Sequence, residues 1–484
     1  MRWIRNRVFI NMKTPKWVNV GGRWTKATPE PVQSEKTVSP KSTKNEVDGI
    51  LQSLVLSKAD LEEISDLMRQ NMDRGLNRAT NPSAVVKMFP SFVRSLPDGT
   101  EKGDFFALDL GGSNFRVLRV QLLDGDVQMT SKVYKISQGT MTGTGEQLFD
   151  YIADSLAEFK NEQGLSDVDL PLGFTFSFPC KQNGLASAEL VQWTKGFSAS
   201  GVEGKDVVVL LKEACARKKV ALQIVALVND TVGTLMSCAY SCSDTYIGLI
   251  LGTGTNACYL EKLSNVDTWT GDDGEPRDVI INMEWGAFGT DKSLDKFRTK
   301  FDNEVDEVTL NKGKQLYEKM ISGMYLGEIV RLILVKLATD GDLFGGQVSS
   351  DLKTPWKFET RFLTDIESDT SDNNAECNTI LKSLGVTPSP SDLPVIRRVC
   401  AAVSTRAARL SVAGLSAVVK KIGAAELTIA VDGSLYKKHP TFKSNMEKTL
   451  KELVPGVTVK LMLSEDGSGK GAALVAAVAA RLGS

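Results

Sequence analysis

Asp230 closes the apolar run "VALVND", Val225 to Asp230, and a helix-like stretch, "TVGTL", follows at once. An aspartate there either caps the helix or sits as a base at the carboxyl end of a buried strand, where α/β sheets present their chemistry. The 484-residue chain has a single histidine, His439. Ser-His-Asp and Cys-His catalysis therefore have one candidate, in the basic turn "YKKHPTF", which reads as surface, and any general base is expected to be a carboxylate. Ser177 ends the apolar run "LGFTFSFP" ahead of Pro179, which stops strand pairing on its N–H side. Thr194 and Lys195 lie in "WTKGF"; spacing alone reads this as a surface loop with a solvated lysine.

Glycine turns form the second group. In "DLGGSN", Asp109 to Asn114, Gly111 and Gly112 permit a tight turn and a close backbone approach. Ser113 and exposed amides would hold phosphate oxygens as backbone nests do. Asp109, at the strand end, would reach Mg2+ through water, since that ion keeps much of its hydration shell. "LGTGTN", Leu251 to Asn256, repeats the arrangement with Thr253. "VDGSLY" offers Gly433 and Ser434, and "EDGSGKG" offers Gly467 and Gly469, each ahead of a helical pattern where anions are favoured. Any one is a plain turn; four, each following a strand, point to a nucleotide site. None fits the P-loop or dinucleotide-binding fingerprints.

The elements that must position these residues are legible from periodicity. "FFALDLGGSNFRVLRVQLLDGDVQM", from Phe105, reads strand, glycine turn, strand, Asp-Gly turn, strand. "TYIGLILGTGTNACYLEKL", residues 245 to 263, repeats strand–turn–strand, which implies a duplicated fold. "LTIAVDGSLYKKHPTFKSNMEKTLKEL" and "VKLMLSEDGSGKGAALVAAVAARL" read strand, glycine loop, helix. "SKADLEEISDLMRQNM" has Ser57 as helix N-cap and Leu61, Ile64, Leu67 and Met68 on one face.

Composition sets bounds. A net charge of −1 and 42% hydrophobic residues describe a globular chain of about two domains. Its near-neutral balance gives no footprint for nucleic acid. No apolar stretch reaches membrane-spanning length; "AALVAAVAA" ends at Arg481. Seven scattered cysteines fit a reducing compartment, with Cys238 and Cys242 as two packed thiols. Residues 1–45 stand apart: basic, without an acid before Glu30, then polar and proline-containing. They read as a flexible arm, and an arginine-rich, acid-poor start is also compatible with organelle targeting.

The motifs "DLGGSNFR", "LGFTFSFP", "WTKGF", "VNDTVGT", "GTGTNACY", "EWGAFG", "QLYEKMISGMYLGE" and "VDGSLYKKHP" occur in an order that resembles the eukaryotic hexokinases, over about residues 50–484. The resemblance is to the single-copy type of about 50 kDa. It implies an α/β fold of the actin-like ATPase (ribonuclease H-like) class, with two domains around a deep cleft. The small domain would span 95–228 with the C-terminal helix 470–484, and the large domain 46–94 and 229–469.

The resemblance further implies ATP-dependent phosphorylation of the 6-hydroxyl of glucose and related hexoses, the first step of glycolysis, with ATP and Mg2+. Asp230 would be the general base, and Lys195 would stabilise the transferred phosphoryl group. Ser177, Thr194, Lys195, Asn229, Asp230, Asn256, Glu284 and Glu318 would bind the sugar. Asp109, Gly112, Ser113, Asn114, Arg116, Thr253, Thr360, Gly433 and Ser434 would contact the nucleotide, with Asp109 reaching the metal through water. Ser113 stands where the family usually has threonine, and Met324 where some members carry lysine. A cytoplasmic monomer is expected, with organelle association through the basic arm as an option. Two alternatives belong to other classes: a sugar-binding sensor or regulator on the same scaffold, and a chaperone or filament ATPase of the actin-like group. The sugar motifs oppose the second.

Overall fold

The computed structural model describes residues 17–20, 23–26, 43–112, 114–124 and 126–482. The chain divides into two compact units, residues 1–43 and 44–484. In the first, Trp17–Val20 and Arg23–Lys26 pair as an antiparallel hairpin. Of the remainder of the expected flexible arm, residues 43–45 open the helix Thr43–Ser53, and the rest lies outside the described residues, as does Ser113.

The larger unit is organised by two mixed sheets of the same topology. Strands β1 (Gly103–Leu110), β2 (Asn114–Leu123) and β3 (Asp126–Lys135) form an antiparallel meander, joined by β4 (Pro171–Phe176) and β5 (Gln223–Val228). The order is β5-β4-β1-β2-β3, with β5, β4 and β1 parallel. Strands β6 (Thr245–Leu251), β7 (Thr255–Lys262) and β8 (Asp278–Asn282) form the second meander, followed by β9 (Glu426–Asp432) and β10 (Thr458–Leu463). Here the order is β10-β9-β6-β7-β8, extended by Phe89–Pro90. The duplication expected from the two strand–turn–strand segments is therefore present.

Eight helices matter for the site: α1 (Lys58–Leu76), α2 (Asp230–Ala239), α3 (Leu316–Ile321), α4 (Leu326–Asp340), α5 (Thr360–Ser368), α6 (Asp392–Ile422), α7 (Ser434–Lys438) and α8 (Gly467–Leu482). The α1 start bears out the expected cap: Ser57 Oγ accepts from the Asp60 N–H, and Asp60 accepts from the Ser57 N–H at 2.8 Å. Leu61, Ile64 and Met68 are fully buried on its inner face.

Each sheet has its own core, and a third core joins them. Val232, Leu235 and Met236 of α2 and Ala472 to Val478 of α8 pack there against Leu118, Val120 and Val228 of the first sheet and Cys258 and Ile280 of the second. The alanine- and glycine-rich sequence of α8 is what lets it fit. A Cβ on Gly471 would lie 1.9 Å from the Gly233 carbonyl oxygen of α2, and one on Gly173 of β4 would lie 2.0 Å from the Ala472 oxygen. Backbone therefore meets backbone on both sides of α8. Among the described residues, no helix is long and apolar enough to cross a membrane.

Candidate active site

β5 delivers Asn229 and Asp230 to one end of the first sheet. Asn229, not Asp230, caps α2: its Oδ1 accepts from the Thr231 N–H at 3.0 Å and the Thr231 hydroxyl at 2.8 Å. The Asp230 carboxylate stands in the first turn of the helix, beside the same Thr231 N–H. Burial pushes its pKa up; Lys195 and the Ser177 hydroxyl oppose that shift, and Asp109 adds to it. β4 ends beside β5 and brings Ser177, which is buried. Lys195 is exposed in a loop, as its spacing suggested, but its ammonium group is held. Its Nζ donates to the Ser177 carbonyl at 2.8 Å and stands 5.6 Å from the Phe178 ring centroid. Lys195 has φ +55°, and buried Trp193 and Phe197 stack on either side of the Thr194–Lys195 pair in sequence.

The second sheet supplies the opposite group. Asn256, at the start of β7, reaches Asn229 Oδ1 at 3.3 Å and Glu284 Oε1 at 3.2 Å through Nδ2. Glu284 follows β8 in the left-handed region, at φ +53°. The fully buried Trp285 next to it donates to Thr255 Oγ1 and packs edge-on against Tyr317. Tyr317, also fully buried, donates its hydroxyl to the Leu410 carbonyl of α6 and so anchors α3, where Glu318 sits. Glu318 Oε2 accepts from the Thr255 N–H at 2.9 Å. Gly254 permits this approach, since a Cβ there would lie 2.6 Å from the same oxygen. Burial raises the Glu284 pKa to about 7, with Asp230 and Glu318 adding to the rise and Asn282 and Lys195 opposing it. Glu318 is raised by burial as well, and the Thr255 N–H and Lys195 hold it down. Three half-buried acids thus face one exposed lysine.

The glycine turns gather beside this cluster. Asp109 accepts from Arg116 Nη2 at 2.9 Å and the Ser468 hydroxyl at 2.7 Å, and Arg116 Nη1 also reaches Asp466 at 2.7 Å. The β6–β7 turn abuts the turn after β9: a Cβ on Gly433, at φ +122°, would lie 2.2 Å from the Leu251 oxygen. The Gly323 and Met324 N–H groups donate to the Gly252 and Thr253 carbonyls at 2.8 and 3.1 Å. Thr360 Oγ1 accepts from the Gly327 N–H at 2.8 Å, which joins the start of α5 to α4. Thr253, Met324 and Ser434 are exposed around this edge. Gly112 has no atom within 4 Å of an added Cβ, and Asn114 is exposed at the first position of β2.

Two residues escaped the sequence reading. Asp432 ends β9 as Asp109 ends β1; its pKa is raised by burial, held down by the Gly433 N–H, and raised again by Asp230 and Asp109. The strand-end position before a glycine was a usable signal. Asn282 is buried between Asn256 and Glu284, and nothing in "INMEWG" marks it. His439 is a correction. Far from lying on the surface, its side chain is fully buried, with Nε2 3.2 Å from Glu367 Oε1 of α5. The thiols are free, Cys238 buried and Cys242 partly so.

Two family models, both described as hexokinase, match residues 46–240 and 246–478. The chain belongs to the hexokinase family. It is 52% identical over 446 residues to Hexokinase-2 of Homo sapiens, covering 90% of this chain and 48% of that protein. To Hexokinase-1 of Rattus norvegicus it is 52% identical over 437 residues, 88% of this chain and 47% of the relative. It thus spans about half the length of these curated relatives. A Schistosoma mansoni hexokinase structure, solved with glucose, is 46% identical with a TM-score of 0.84, covering 90% of this chain and 98% of the other. A second hexokinase structure matches at 33% identity and a TM-score of 0.77, over 90% of this chain and 99% of its own. The fold is the actin-like α/β fold of this family, built on two mixed sheets, as the resemblance implied.

Proposed function

We propose that this chain transfers the γ-phosphoryl group of ATP to the 6-hydroxyl of glucose and related hexoses. The observation that carries the reading is the convergence of Asp230, Lys195, Asn256, Glu284 and Glu318 from both sheets beside the glycine turns. A glucose-bound relative covering nearly all of its own length supports the sugar assignment.

A hexose presents several hydroxyls that each donate and accept. Ser177, Thr194, Asn229, Asn256, Glu284 and Glu318 answer them, and a site built that way rejects analogues that leave its polar groups unpaired. Asp230 aligns the 6-hydroxyl and takes its proton as the bond to phosphorus forms. An ordinary aspartate pKa near ~4 is far too low to ionise an alcohol beforehand. A loose transition state does not require that, and the upward push on Asp230 brings it nearer a useful base. Lys195, beside Asp230, offsets charge developing on the transferred group.

The nucleotide lies along Asp109, Gly112, Ser113, Asn114, Arg116, Thr253, Thr360, Gly433 and Ser434. Thr360 Oγ1 already accepts from Gly327, so its hydroxyl proton is available to a ligand. Among the described residues, one trio of acids has oxygens within 4.8 Å of one another, Glu46, Asp340 and Asp342, and Lys336 serves it. Asp109 stands outside that trio, which suits Mg2+ held by one carboxylate through water and by substrate phosphates rather than by a protein cage. Bound there, Mg2+ would neutralise charge on the phosphates; Asp109 would hold its water shell.

The two sheets and their helices are read as lobes, 95–228 with the C-terminal helix and 46–94 with 229–469, that close on the sugar. Closure would exclude water, which competes for the phosphoryl group. We place the enzyme in the cytoplasm as a monomer, with the basic arm as an optional organelle contact. The test of the reading is phosphate release with ATP alone and with xylose, which lacks the 6-hydroxymethyl group. Xylose should raise hydrolysis above the sugar-free rate through Asp230 acting on water. No stimulation despite demonstrated xylose binding counts against sugar-driven closure; stimulation that survives Asp230→Ala counts against Asp230 as base.

A further inference from the structure

Asn282 ends β8 with its backbone paired to Cys258 on one side and Phe89 on the other. It is 6% exposed, and its amide lies between two residues assigned to the sugar. Its Oδ1 accepts from Asn256 Nδ2 at 2.7 Å, and its Nδ2 donates to Glu284 Oε1 at 2.9 Å. At the far end, Asn256 Oδ1 accepts from the Ala257 N–H at 2.8 Å.

The two ends of this chain fix its direction. A backbone N–H can only donate, and an ionised carboxylate can only accept. Ala257 therefore forces the Asn256 oxygen toward the backbone and its nitrogen toward Asn282. Glu284 forces the Asn282 nitrogen toward itself and its oxygen toward Asn256. The Ala257 N–H sets one end and an ionised Glu284 the other, and reversing either amide would set donor against donor. With Asn256 also touching Asn229 Oδ1, the relay runs from Glu284 to the residue that caps the Asp230 helix.

We infer that Asn282 is a positioning residue for the sugar site: it holds the Asn256 amide from the side opposite Ala257 and keeps Glu284 an acceptor, without touching the substrate itself. The groups facing Glu284 agree with this. Burial, Asp230 and Glu318 favour its neutral form, Asn282 and Lys195 oppose them, and Asn256 Nδ2 also donates to the carboxylate at 3.2 Å. Lys195 lies in the loop that follows Leu190, outside the second sheet, and of the two amides within that sheet that donate to Glu284, Asn282 makes the shorter contact, 2.9 Å against 3.2 Å from Asn256. The inference rests on the proposed sugar reading, and the experiment separates the two.

The experiment is the pH profile of kcat/KM for glucose, with KM for ATP as internal control, in the wild type, Asn282→Leu, Asn282→Asp and Glu284→Gln. Glu284, with a pKa near 7, accepts from the sugar most strongly when ionised, so the wild-type value falls as pH drops below about 7. Asn282→Leu removes the donor and keeps the branching at Cγ. It should move that fall to higher pH and raise KM for glucose about ten- to a hundredfold at neutral pH, the scale of a hydrogen bond to a charged group. KM for ATP should be unchanged. If Asn282→Leu does not fold, Asn282→Asp decides, because a second acid beside Glu284 moves the fall the same way. Glu284→Gln should abolish the fall. Unmoved profiles and KM for glucose in both Asn282 variants, with Glu284→Gln impaired, would overturn the inference and leave the sugar site standing. A wild-type KM for glucose and profile in Glu284→Gln would overturn the sugar-site reading and the inference with it.

Discussion

Replacing Gly471 by alanine is expected to destabilise the molecule and slow it together. The added Cβ would lie 1.9 Å from the Gly233 oxygen and 2.3 Å from the Gly233 carbonyl carbon and Cα. Ordinary carbon contacts begin near ~3.5 Å, so α8 and α2 would have to part by about 1.5 Å. α8 has no slack on its other side, where a Cβ on Gly173 would already meet the Ala472 oxygen at 2.0 Å. Overpacking of this kind costs ~1–3 kcal/mol or more, which exceeds the ~1 kcal/mol that alanine gains over glycine within a helix. Asp230 stands one turn before Gly233 on the same helix. Displacement of about 1 Å at a reacting group is worth up to ~10²-fold in rate. Thermal unfolding and kcat for glucose, measured on Gly471→Ala and on Gly456→Ala, check both parts. An alanine at Gly456 meets no atom within 4 Å and should be neutral in both assays. A Gly471→Ala protein that melts with the wild type and keeps its kcat would refute the packing argument.

Asp230→Ala should cut kcat by about 10²–10⁴ while glucose still binds through Asn256, Glu284 and Glu318, as titration of tryptophan fluorescence would show. Arg406→Ala should cost ~3–5 kcal/mol of stability, read by denaturant unfolding. The guanidinium pairs with both Asp302 oxygens, at 2.9 and 2.8 Å, with each side chain almost fully buried. Removal of residues 1–45 should leave kcat/KM within a few-fold, because every proposed site residue lies in the larger unit; steady-state kinetics of the truncated protein measure this.

What the sequence disclosed follows from how each residue acts. Asp109, Asp230 and the glycine turns declare themselves locally, because a strand period that breaks into glycine beside a polar residue is visible within ten residues. The duplicated meander was legible for the same reason. Asn282 was not: a polar residue at the end of a short strand looks solvent-facing until Asn256, 26 residues away, and Glu284 close over it. His439 was misread because its basic neighbours describe the outside of α7, while its partner Glu367 is 72 positions distant. The capping role of Asn229 was hidden by Asp230, a strong cap former next to it. The wedge of α8 between the sheets is written in its glycines and alanines, but which backbone each one meets is a property of the packed fold.

The central claim is sugar-dependent phosphoryl transfer, and the most direct measurement is ADP formed from ATP and Mg2+ with and without glucose, alongside the sugar phosphate produced. The account predicts ADP release that depends on glucose and matches glucose 6-phosphate mole for mole, with little release in its absence. Glucose binding with no sugar-dependent ADP would contradict it and favour a sensor on the same scaffold.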